Sequence, residues 1–141
     1  MGLDQVHPQL VADCHYLGAL SVCAVLLNRN ASVPWFILVP DTQVHDVLDL
    51  PEAEAHAVLS ECAAISAFIK GELGFPKVNY AGLGNVVPQM HLHIIGRSEA
   101  DLCWPLPVWG ALPEGAEYTQ TVLQQWQAKL VDIVDLRPAA M

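Results

Sequence analysis

The sequence predicts an α+β fold: an antiparallel sheet with one main helix and a C-terminal helix, in a single domain over residues 1–141. Three observations predict it. Two short apolar runs, Ser21–Leu27 and Trp35–Val39, are strand-sized and flank the turn-rich Asn28-Arg29-Asn30-Ala31-Ser32. One long amphipathic stretch comes next. Two more strand-like segments, Lys77–Ala81 and Val86–Ile95, then flank the glycine turn Gly82-Leu83-Gly84-Asn85.

Each element has a local cause. Residues 8–15 read as a short helix opened by Pro8, and Trp35–Val39 is ended by Pro40-Asp41. Pro51–Leu73 is the main helix, with Pro51 in its first turn and Gly71 and Gly74 at its close. Val58, Cys62, Ile65 and Ile69 form one apolar stripe, widened by Leu59 and Phe68. Glu52, Glu54, Glu61 and Lys70 fall on the solvated side. Residues 98–113, rich in Pro and Trp, read as a loop. Glu114–Leu130 is the C-terminal helix, with Val122, Leu123, Trp126 and Leu130 on one face.

Composition narrows the function classes. Hydrophobic residues make up 53 % of the chain and the mean hydropathy is +0.35, which supports a packed core rather than disorder. No apolar run approaches the roughly 20 residues of a membrane helix. The N-terminus lacks the basic and apolar regions of a signal peptide, so the expectation is a cytoplasmic protein without a membrane partner. The net charge of −9 argues against long nucleic acid, whose affinity depends on Lys and Arg neutralising many phosphates. A small phosphorylated ligand stays compatible, because backbone N–H groups hold one phosphate whatever the net charge. Cys14, Cys23, Cys62 and Cys103 contain no Cys-x-x-Cys pair, and Cys23 and Cys62 read as small core residues.

The chemistry concentrates in Gln89-Met90-His91-Leu92-His93-Ile94-Ile95. Alternation along a strand puts Gln89, His91 and His93 on one face and Met90, Leu92 and Ile94 on the other. Neutral imidazole can attack phosphorus and form a covalent intermediate. A second histidine titrating near neutrality can protonate the leaving group. The amide of Gln89 can orient the nucleophile or donate to a phosphate oxygen. A zinc or iron site on His91 and His93 is the alternative, but it needs a third ligand, and His45 and His56 show no convergence. His7, His15, His45 and His56 read as surface or capping residues. Arg97 is either a phosphate clamp or an exposed strand-end arginine. Trp104 and Trp109 either stack on a base, seal a dimer or pack the loop onto the sheet.

This segment resembles the histidine triad (HIT) family, whose pattern is His-φ-His-φ-His-φ-φ with φ apolar, here with Gln89 in the first position. Ile37-Leu38-Val39-Pro40, the long helix and an Asn-bearing strand before the histidines match the family's order, over roughly residues 10–97. Trp104-Pro105 and Val108-Trp109-Gly110 resemble a bacterial subgroup of HIT-like proteins. The resemblance implies a HIT-like fold and His91 as nucleophile on an α-phosphate. It implies His93 at the bridging or leaving atom, and Gln89 orienting the nucleophile. The implied nucleotide contacts are Asn28 at the ribose, Asn79, and the stretch Gly84, Asn85, Val86 and Val87. Val86 stands where the family often has a phosphate-binding serine, which leaves that contact to backbone N–H. Asn28 also has the bland reading of a turn residue.

The resemblance thus implies a hydrolase or transferase acting on nucleoside phosphoramidates or dinucleoside polyphosphates through a nucleotidyl-histidine intermediate. Its partner would be a purine nucleotide or nucleotide conjugate, and the resemblance implies a homodimer. No cofactor is required, though Mg²⁺ can accompany polyphosphates. The alternative is a nucleotide-binding module with little or no turnover, motivated by Gln89, which cannot shuttle a proton, and by Val86.

Overall fold

Six strands form one antiparallel sheet in the computed structural model, which describes residues 1–141. In chain order these are β1 (Cys14–Ala19), β2 (Cys23–Asn28), β3 (Trp35–Pro40), β4 (Lys77–Gly82), β5 (Leu92–Arg97) and β6 (Arg137–Pro138). The helices are α1 (Pro8–Asp13), α2 (Glu52–Gly71) and α3 (Gln120–Val134). The order across the sheet is β4-β5-β3-β2-β1-β6. β2 and β3 are apolar on both faces because they are covered on both sides.

One face packs against α2 and α3. Val25, Leu27, Phe36, Leu38, Leu92 and Ile94 meet Val58, Cys62, Ile65, Phe68 and Ile69 of α2 and Leu123 and Leu130 of α3. The stripe read from the sequence is thus the core contact, except that Leu59 is 56 % exposed. On the other face two smaller clusters form. Leu10 and Val6 of the N-terminal segment cover Leu26, Ile37 and Val39. Val108 and Cys103 of the 98–113 loop cover Ile95 and Val33. The gap between these two clusters is where the histidines emerge.

Several elements differ from the sequence expectation. β1 and β6 are additional strands. β1 is interrupted by a bulge between Tyr16 and Gly18, and Gly18 has φ of 148° against the Arg137 carbonyl. That approach only glycine allows, and it breaks any clean alternation. β5 begins at Leu92, not Val86, because Pro88 has no N–H to give a ladder and Val86 is exposed. α3 begins at Gln120, capped by the Thr119 hydroxyl, which accepts from Val122 N at 3.2 Å. Residues 114–119 form no regular element, and they are tied down by Ala31 N donating to Ala116 O and Tyr118 Oη donating to Val33 O. Glu61 is not simply solvated. Its carboxylate accepts from Val22 N at 3.0 Å and Cys23 N at 2.9 Å, closing the β1–β2 turn.

Candidate active site

The site rests on the register of β3 against β5. Ile37 pairs with His93 and Trp35 with Ile95, so these four side chains share one face. Ala81 of β4 pairs with His93 from the other side. Alternation holds through the irregular entry to β5: Met90, Leu92 and Ile94 lie in the large core, and the His91 and His93 rings sit 5.1 Å apart on the opposite face.

Hydrogen bonds fix the tautomer of each ring. His91 Nδ1 lies 2.7 Å from the Gln89 carbonyl oxygen. A carbonyl only accepts, so Nδ1 carries the proton and Nε2 of the neutral ring holds the lone pair. Trp35 Nε1–H donates to His93 Nδ1 at 3.0 Å. Indole only donates, so His93 carries its proton on Nε2. Every buried polar side-chain atom of the protein is hydrogen-bonded, and neither Nε2 has a protein partner. Both therefore reach solvent, one as a lone pair and one as an N–H.

His93 is not the near-neutral acid that the sequence suggested. Burial, then the neighbouring His91, push its pKa down from the ordinary 6.5 to about 4. Gln89 also departs from expectation. Its amide faces away from the imidazoles: Oε1 accepts from His7 N and Nε2 donates to Gln5 O, each at 2.8 Å. The orienting group on His91 is the Gln89 backbone carbonyl, which any residue would supply.

The histidines open into a cleft of about 380 Å³. Asn28, Gly84, Asn85, Val86 and Val87, which the family resemblance offers as nucleotide contacts, all line it. Gly84 has φ of 68°, which turns the chain so that this stretch borders the cleft. The N–H groups of Gly84, Asn85, Val86 and Val87 donate to no protein acceptor. That is the arrangement expected of a cradle for an anion. Asn28 Oδ1 accepts from Asn30 N at 3.0 Å, so it also serves the turn. Asn79 does not reach the cleft. It shares the histidine face, but its Oδ1 accepts from Arg97 Nη1 at 2.9 Å.

Arg97 is neither a phosphate clamp nor exposed. It is 1 % exposed. Its guanidinium is spent on Asp101 through Nε at 2.7 Å, and on Asn79 and the Leu106 carbonyl. This cluster anchors the 98–113 loop, which carries Trp109 over His93 with ring centroids 4.9 Å apart. Trp109 thus lines the cleft, whereas Trp104 lies beside Arg97.

Trp35 is a residue of the cleft that local sequence signals do not reveal. The sequence marks it only as an apolar strand residue, and its indole reaches His93 through a pairing 58 residues distant. Gln9, Leu10 and Asp13 of α1 also line the cleft without any local signal. A cysteine nucleophile is disfavoured: all four cysteines are buried and unpaired, and burial pushes the Cys14 and Cys62 thiols up to about 12. No group of three or more His, Cys, Asp or Glu converges to hold a metal ion. No helix is long and apolar enough to cross a membrane.

The chain is similar over nearly its whole length to three solved bacterial proteins. A histidine triad protein from Marinobacter aquaeolei VT8 shares 39 % identity, with 93 % of this chain and 96 % of that one covered and a TM-score of 0.84. A histidine triad protein from Bradyrhizobium japonicum shares 33 % identity, with 92 % and 97 % covered and a TM-score of 0.85. A histidine triad (HIT) protein from Sinorhizobium meliloti 1021 shares 29 %, with 94 % and 99 % covered and a TM-score of 0.84. No curated protein matches the sequence. The family model for the HIT domain matches residues 9–100, which contain the cleft's histidines, Trp35, Asn28 and the Gly84–Val87 stretch. The chain belongs to the histidine triad (HIT) family.

Proposed function

We propose that the protein hydrolyses or transfers a nucleoside monophosphate group, with His91 Nε2 attacking the α-phosphorus of a nucleoside phosphoramidate or dinucleoside polyphosphate. The observation that carries this reading is the pair of locked tautomers. One cleft receives a free imidazole lone pair from His91 and a free N–H from His93. The first is the nucleophile, and the second donates to a phosphate or bridging oxygen.

The surroundings support the assignment. The unpaired N–H groups of Gly84 to Val87 suit the phosphate oxygens. Leu10, Ile37 and Val87 give the cleft an apolar wall for a purine base, and Asn28 stands at its polar rim for the ribose. The Gln89 carbonyl holds the Nδ1–H of His91 and stabilises the positive charge that the ring gains on phosphorylation. We also propose a homodimer, for which the open edge of β4 is available at one end of the sheet. Mg²⁺ belongs to the proposal only as the counter-ion that a polyphosphate substrate brings with it.

A binding module with little turnover is the competing reading, favoured by the Gln89 amide being turned away from the imidazoles. One experiment separates them. The protein is quenched shortly after mixing with diadenosine tetraphosphate, and its intact mass is measured beside a His91→Ala control. An AMP-sized adduct, with AMP release, both absent in the variant, is the expected result. No adduct and no release, with AMP still raising Tm, would establish the module instead. Absence of all three would remove the nucleotide assignment.

A further inference from the structure

Dinucleoside polyphosphates and nucleoside phosphoramidates differ in what leaves phosphorus. Cleavage of a P–O anhydride sends its electron pair onto a phosphate or carboxylate, which departs as a stable anion. Cleavage of a P–N bond requires a proton on nitrogen, because an amine leaves only as the neutral molecule. The groups that face the cleft decide which of these the site can serve.

The His93 ring stands 5.1 Å from that of His91, and its Nδ1 accepts the Trp35 indole N–H at 3.0 Å. Forming an imidazolium would set two N–H groups against each other at that distance. The bond to Trp35 would be lost in a position that is 6 % exposed. Its Nε2–H can therefore donate a hydrogen bond, but no second proton is available behind it. The low pKa of His93, caused by burial, agrees with this geometry. Gln89 carries no transferable proton, and its amide is occupied elsewhere. Asp13, on α1, is an acceptor whose two oxygens hold Gln9 Nε2. His45 lies in a second depression that His91 and Gly84 also line, but it does not border the cleft into which His93 opens.

We infer that the site selects substrates whose leaving group departs as an anion, the phosphate or carboxylate of a mixed anhydride, and that Trp35 is the positioning residue that sets this preference by holding His93 in its Nε2–H tautomer. The inference rests on the reading of His91 as nucleophile. In the first step His91 Nε2 bonds to the α-phosphorus and the bridging P–O bond breaks. Its electron pair leaves with the anion, and His93 Nε2–H hydrogen-bonds that oxygen without giving up its proton. In the second step water adds to phosphorus and the N–P bond breaks. The electron pair returns to His91 Nε2, one water proton stays on the monophosphate and the other passes to solvent. Neither step needs an acid.

The test compares diadenosine tetraphosphate, adenosine 5′-(p-nitrophenyl phosphate) and adenosine 5′-phosphoramidate on the wild type and on Trp35→Phe. A positioned general acid contributes roughly 10²- to 10⁴-fold. The expected kcat/KM for the phosphoramidate is therefore lower than for the other two by at least about 100-fold. In Trp35→Phe, where His93 Nδ1 is free to take a proton, that gap narrows by about tenfold at mildly acidic pH. Nitrogen-detected NMR of the wild type gives a second readout: His93 keeps Nδ1 unprotonated and Nε2 protonated between about pH 5 and 8. Phosphoramidate turnover matching the anhydride, or a His93 that titrates in that range, overturns the inference while leaving His91 as nucleophile. No turnover of any of the three, with no nucleotidyl-His91 trapped, fails the nucleophile reading itself and this inference with it.

Discussion

Two polar sites stand on the same face of β5, two pleats apart, and they are satisfied in opposite ways. Arg97 spends its guanidinium on Asp101, Asn79 and Leu106. His91 and His93 each spend one nitrogen and keep the other open to the cleft. Both sites are buried, and both would look functional by residue type. The difference teaches that burial of a polar side chain does not mark chemistry. What marks it is a donor or acceptor that the fold orients and then leaves free.

The largest test of this comparison is His91→Ala. Removing the free lone pair is expected to cut turnover of diadenosine tetraphosphate by on the order of 10⁴-fold or more, with Tm held close to wild type. A variant that keeps a tenth of the activity would break the assignment. Arg97→Met is the counterpart. It leaves Asp101, whose side chain is 3 % exposed, as a buried charge without its partner, and is expected to cost about 3–5 kcal/mol in urea unfolding. A loss under about 1 kcal/mol would mean that the cluster behaves like a surface ion pair.

The third test is the pH dependence of stability. The folded His93 takes a proton only near pH 4, while the unfolded side chain takes one near 6.5. Between these values the unfolded state binds more protons. Stability therefore falls as pH drops through the window, by up to about 1.4 kcal/mol per pH unit from this residue. Above 6.5 the contribution is constant. His93→Gln removes it, so the urea midpoint of the variant is expected to fall less steeply with acid than that of the wild type. Parallel curves would show that the folded His93 titrates normally.

How legible each site is in the sequence obeys the same division. His91 and His93 are legible because alternation in a strand and the Gln-x-His-x-His spacing are local. So are the α2 stripe and the Gly84–Val87 border of the cleft. The satisfied partners are not. Whether Arg97 meets a phosphate or Asp101 depends on how the 98–113 loop folds back. Whether His93 is acid or neutral depends on its burial and on His91 beside it, and which nitrogen keeps the proton depends on Trp35, brought to it by the β3–β5 register. Asn79 sits on the correct face, yet Arg97 reaches it first. β1 is hidden because its bulge and Gly18 spoil the alternation that reveals a strand. The start of α3 lies later than the sequence suggests because Thr119 caps it and hydrogen bonds to Val33 and Ala31 draw residues 114–119 out of the helix.

The smallest test falls on Glu61, a polar residue that is satisfied but remote from the cleft. Its carboxylate takes the N–H groups of both Val22 and Cys23. Glu61→Gln keeps the oxygen nearer Cys23 N and sets an amide N–H against Val22 N, so one charge-assisted bond is lost and another weakened. The expected cost is about 1–2 kcal/mol in urea unfolding, with turnover of diadenosine tetraphosphate unchanged. An equal loss of turnover would show that the β1–β2 turn is coupled to the imidazoles through β2 and β3. The line between groups that hold the fold and groups that act would then run elsewhere in the sheet than hydrogen-bond satisfaction places it.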